Sequence, residues 1–87
     1  MEQNWRESLR EKLEQYYAWP ALYTFKFIVP KGKENEVKSL FPNHESSERS
    51  SKNGNYTSVT INMMVNSSDE VISVYQKVST IEGIIVL

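Results

Sequence analysis

The chain has 87 residues and no cysteine, with 10 Lys and Arg against 11 Asp and Glu and a net charge of −1. That length fits one small domain that buries roughly 60–65% of its unfolded surface. The charge balance argues against a dedicated nucleic-acid binder, and without Cys there is no disulfide, no Cys-ligated zinc and no thiol nucleophile.

Asn4 to Tyr17 reads as a helix, with Asn4 as its cap and Glu7 three residues on, as in a capping box. Trp5, Leu9, Leu13 and Tyr16 share one stripe, and the opposite face is charged. Pro20 disfavours helix at Trp19, which places the helix end near Ala18. Ala21 to Val29 alternates as a strand. Tyr23, Phe25, Phe27 and Val29 form the face expected to be buried, and Leu22, Thr24, Lys26 and Ile28 form the other. Glu34 to Phe41 reads as a short helix with Val37, Leu40 and Phe41 inward, stopped by Pro42.

His44 to Lys52 carries no aliphatic residue and fits either a disordered loop or a polar edge strand. Asn53-Gly54 favours the edge strand, because that pair suits a type I′ hairpin turn. Asn55 to Val65 is a clear strand, with Val59, Ile61, Met63 and Val65 on one face and Tyr56, Ser58, Thr60, Asn62 and Met64 on the other. Ser67 and Glu70 have capping-box spacing at the head of the last helix, whose apolar stripe is Val71, Val74, Tyr75 and Val78. Ile84 to Leu87 closes the chain as an apolar edge strand, with Ile85 expected in the core.

After the first helix the order is β-α-β-β-α-β. This predicts an α+β, ferredoxin-like βαββαβ sandwich, a four-stranded antiparallel sheet with two helices on one face, plus the extra N-terminal helix. The division is an N-terminal amphipathic helix over 1–18 and a ferredoxin-like, ACT-like domain over 19–87. The sheet's second face stays open unless the N-terminal helix or a partner covers it.

The inventory holds little catalytic chemistry. His44 is the single imidazole and sits in a polar turn without groups spaced to orient it. Asp69-Glu70 at a helix start is accounted for by the helix dipole and cap. The three glycines, Gly32, Gly54 and Gly83, form no phosphate-binding loop. We therefore expect no catalytic residue, no metal and no cofactor. No apolar run approaches the ~20 residues that span a bilayer. The N-terminal segment lacks a signal-peptide core, so a cytoplasmic protein is expected and the Asn55-Tyr56-Thr57 and Asn66-Ser67-Ser68 sequons are read as chance. RNA-recognition domains share the topology, but only Tyr56 is an aromatic on the open face, and Arg49 with Lys52 makes a small electrostatic footprint.

Trp19-Pro20-Ala21-Leu22-Tyr23-Thr24-Phe25-Lys26-Phe27 and Ser50-Ser51-Lys52-Asn53-Gly54-Asn55-Tyr56, with the closing helix and strand, resemble the YbeD-like family of small bacterial proteins. The resemblance runs from residue 19 to residue 87. It implies a ferredoxin-like fold similar to ACT regulatory domains, and some members carry the name lipoate regulatory protein. The sequence departs from the family pattern in the inserted Asn53, the short helix at Glu34 to Phe41 and the additional N-terminal helix.

The functional expectation is a regulatory or interaction module that binds a metabolite or protein without turnover; the alternative is an RNA-binding module. The candidate surface is Leu22, Lys26, Ile28, Tyr56 and Met64, with Lys26 the charge in mid-strand that must reach water or a partner. The apolar final strand invites edge pairing, so a homodimer is a possible partner arrangement.

Overall fold

The computed structural model describes residues 2–87, with side chains described from residue 4 onward. In chain order the elements are α1 (Glu2–Tyr16), β1 (Ala21–Pro30), α2 (Glu34–Ser39), β2 (Ser46–Ser50), β3 (Tyr56–Val65), α3 (Ser68–Val78) and β4 (Ile85–Val86). The sheet order is β2-β3-β1-β4 and every pairing is antiparallel, which is the ferredoxin-like arrangement.

β1 and β3 form the centre because both alternate over ten residues and so can bury one face. They pair along their full length, with Phe25 opposite Ile61 and Phe27 opposite Val59. These four side chains are fully buried, and Val29, Val37, Val65, Val71 and Val78 complete the sealed interior. Phe25 is the hub: its ring lies 4.7 Å from Tyr23, 6.1 Å from Phe27, 6.2 Å from Phe41 and 5.6 Å from Tyr75, the last edge-on at 78°. Such aromatic pairs contribute about 0.5–1.5 kcal/mol each beyond area burial.

α3 begins as its sequence predicts. Ser67 is the N-cap, and its hydroxyl accepts from the Glu70 amide at 3.2 Å. The Glu70 carboxylate reaches back one residue further than in the usual box, accepting from the Asn66 amide at 2.6 Å.

α1 differs from expectation at both ends. It starts at Glu2, so Asn4 lies inside the helix and is not its cap. Tyr16 is 79% exposed, and Tyr17, four residues beyond Leu13, takes the inward position. The Tyr17 ring stacks on Trp19 at 5.5 Å and tilts against Tyr23 at 5.4 Å. The bond from Trp19 to Pro20 is cis. Leu13 joins the core, Arg10 pairs with Asp69 of α3, and Glu14 accepts from the Ser68 hydroxyl at 2.8 Å. α1 therefore belongs to the helical layer and does not lie over the open sheet face.

The hairpin between β2 and β3 is also built differently. Among the described residues none other than glycine has positive φ, which excludes a type I′ turn with Asn53 at its centre. Instead the Gly54 amide closes a turn onto the Ser51 carbonyl at 3.0 Å, and the Ser51 amide bonds the Tyr56 carbonyl at 2.8 Å. Residues 52–55 form a four-residue loop in which Gly54, at φ +76°, supplies the left-handed step.

β4 is two residues long, and Ile85 is 49% exposed rather than in the core. Its register explains this: Ile85 opposes Ile28, whose side chain points away from the helices. Ile81 is buried in its place and Ile84 packs partly against the core.

Candidate functional site

The three helices share one side of the sheet, so the other side meets solvent. Register places its side chains in rows across the strands. Met64 and Leu22 are cross-strand neighbours, followed by Asn62 with Thr24 and Thr60 with Lys26. Ser58 with Ile28 and Tyr56 with Pro30 complete the rows. β2 adds Ser47 beside Thr60 and Arg49 beside Ser58. β4 adds Ile85 beside Ile28, and the Leu87 amide bonds the Lys26 carbonyl at 3.0 Å. Successive rows are about 6.6–6.8 Å apart and neighbouring strands about 4.8 Å apart.

The five residues expected from sequence are all on this face but do not form one cluster. Leu22 (62% exposed) and Met64 (56% exposed) make an apolar end. The Thr24 hydroxyl donates to the Asn62 side-chain oxygen at 2.6 Å, a polar bar that separates this end from the rest. Beyond the bar lies Lys26, exposed, at the edge of a shallow pocket of about 270 Å³ shared with Ser47, Glu48, Arg49, Ser58 and Thr60. A smaller hollow of about 160 Å³ follows, where Ile28 and Tyr56 meet Arg49 and Ser58.

Sequence reasoning missed Arg49 and Ser47 as part of this surface. The available signal was strand parity: Glu48 points to the helices, where it pairs with Lys38 at 2.6 Å, so Ser47 and Arg49 point the other way. At the paired positions of the open face the charged residues are Lys26 and Arg49, both cationic. Neither forms an ion pair among the described residues.

On the helical side an apolar groove of about 550 Å³ lies between α1 and β4, lined by Trp5, Leu9, Tyr75, Ser79 and Val86. Beneath it the Tyr75 and Tyr23 hydroxyls are 2.9 Å apart, and burial pushes the Tyr75 phenol well above its ordinary range. His44 is exposed on the turn that its amide closes onto the Phe41 carbonyl at 3.2 Å. Among the described residues no group of three His, Cys, Asp or Glu side chains is placed to hold a metal ion. No helix among them is long and apolar enough to cross a membrane.

Comparison with known families places the chain in a family. The model of a family described as protein of unknown function (DUF493) matches residues 14–87, a span that begins inside α1 and covers the whole sheet. No curated protein and no solved structure matches the chain.

Proposed function

The chain belongs to the DUF493 family, which is the YbeD-like family, and from that membership we propose that it is a regulatory or interaction module that binds a metabolite or protein without turnover. The observation that carries the reading is the uncovered sheet face, where Leu22, Tyr56 and Met64 expose apolar surface and Lys26 and Arg49 form no ion pair among the described residues. All three helices are committed to the opposite side, so cover for this face comes from outside the fold.

Capture from a native lysate tests the proposal, with masses recorded for both proteins and small molecules. The parent is compared with Leu22→Glu, Met64→Glu and Lys26→Glu, and an exposed α1 change, Lys12→Glu, serves as control. We expect the retained partner to be lost from at least one open-face variant and kept by the control. Equal retention by all three open-face variants overturns the reading. Homodimerisation along the β4 edge is a narrower form of the proposal; sedimentation over a concentration series tests it, and a concentration-independent monomer overturns it.

A further inference from the structure

We infer that Lys26, Arg49, Ser47, Ser58 and Thr60 form a cradle for the phosphoryl group of a small phosphorylated metabolite. The inference rests on the open-face reading and names the chemistry of its ligand.

The cradle spans three strands. Ser47, Thr60 and Lys26 lie in one row, and Arg49 and Ser58 in the next. The two cations stand on strands separated by β3, so their backbones are about 10 Å apart across the sheet. Long side chains from both sides can reach over the hydroxyls between them. The Ser58 hydroxyl donates to the Arg49 carbonyl at 3.4 Å, and no hydrogen bond from Ser47, Thr60, Lys26 or the Arg49 guanidinium is formed among the described side chains. Four donor groups therefore stand without a side-chain hydrogen bond among the described residues, on backbone positions fixed by the strand pairing.

Charge and size choose the ligand. Glu48 of β2 also borders the pocket, but its carboxylate is paired with Lys38 on the helical side, so the charges that the paired positions of the open face present are two cations, which favour an anion. Arg offers a planar fork for oxyanions, Lys a point charge, and hydrogen bonds to an ionised acceptor are roughly twice as strong as neutral ones. A carboxylate has about four lone-pair sites, whereas the donors here come from three strands and suit the tetrahedral array of a phosphoryl group. The pocket, at about 270 Å³, is smaller than the ~300–1,000 Å³ of drug-sized sites, which fits one anionic group rather than a whole large ligand. The adjoining hollow beside Ile28 and Tyr56 gives the organic part of the metabolite an apolar shelf.

The test is a ¹H–¹⁵N NMR titration of the full chain with inorganic pyrophosphate, against sodium chloride of matched ionic strength. We expect saturable shifts at Lys26, Ser47, Arg49, Ser58 and Thr60. Lys26→Met and Arg49→Met should each weaken binding at least tenfold, and Lys12→Glu, on the exposed face of α1, should leave it within twofold. The spectra themselves report whether each variant is folded. Shifts reproduced by sodium chloride, or unchanged in both cation variants, overturn the cradle. Tighter binding of a single-stranded RNA oligonucleotide than of pyrophosphate, lost on Tyr56→Ala, also overturns it in favour of nucleic acid. If pyrophosphate fails while Leu22→Glu still abolishes partner capture, only the cradle falls. If pyrophosphate binds while every open-face variant keeps its captured partner, the protein-binding reading falls and the cradle stands.

Discussion

The buried Thr57 hydroxyl donates a 2.6 Å hydrogen bond to the Glu34 carboxylate, joining the first turn of α2 to the inner face of β3. The second carboxylate oxygen accepts from the Gly32 amide at 3.0 Å. α2 is only six residues long and its cap position, Lys33, makes no side-chain capping bond, so Glu34 is what anchors its start.

This contact sets a pH dependence. The Thr57 hydroxyl, then the local backbone amides, hold the Glu34 carboxyl below its ordinary value of 4.5. A depressed folded value means that the stabilisation is present above pH 4.5 and is lost as pH falls through the folded value. Glu34→Gln should be less stable than the parent near neutrality, and the two should converge as pH falls through the depressed folded value and the parent carboxyl protonates. Urea melts across this range check it; parallel curves at every pH would refute it.

The central pair predicts the largest losses. Phe25→Ala and Ile61→Ala remove fully buried side chains that face each other across β1 and β3, and each should cost about 2–5 kcal/mol. For a domain this small that approaches the whole folding free energy of about 5–15 kcal/mol. Chemical denaturation measures both, and parent-like midpoints would show the facing to be wrong.

Leu13 extends the same argument to α1. It is 4% exposed and joins the core, so Leu13→Ala should cost about 2–5 kcal/mol although it lies outside the sheet and its two crossover helices. A loss below about 0.5 kcal/mol, the range of ordinary surface changes, would mean that α1 is dispensable cover.

Two glycines separate conformational from steric strain. Both Gly54 and Gly83 have positive φ, so alanine at either costs roughly 1–2 kcal/mol of backbone strain. A Cβ at 54 meets open space, whereas one at 83 would stand 2.8 Å from Pro30 Cγ. Gly83→Ala should therefore be the more damaging and should raise amide exchange in β4. Equal losses in the two variants would count against the close approach of Gly83 to Pro30.

Much of the fold was legible because apolar period and turn chemistry agreed. β1, β3 and the Ser67 cap of α3 follow directly from alternation and spacing. Legibility failed where those signals were weak. Tyr16 and Tyr17 both fit the helical stripe, and only the packing of Tyr17 against Trp19 and Tyr23 selects one. A run of four apolar residues at the C-terminus has no alternation, so nothing local said that Ile85 would face outward opposite Ile28. The candidate surface suffered most from β2, whose Ser-rich sequence has no hydrophobic phase. Its register comes from pairing with β3, and with it the placement of Ser47 and Arg49.

The alternation of β1 has a consequence for how the chain finds its structure. Odd-numbered positions from Phe25 to Val29 are buried, while Lys26 between them is exposed. A slip of one residue in the pairing with β3 would exchange the two sets, driving an ammonium group into the interior and three large apolar side chains into water. Lys26 thus acts as a register stop during assembly, penalising the nearest misfolded hairpin, and a neutral apolar residue there would remove that penalty without touching a single native core contact.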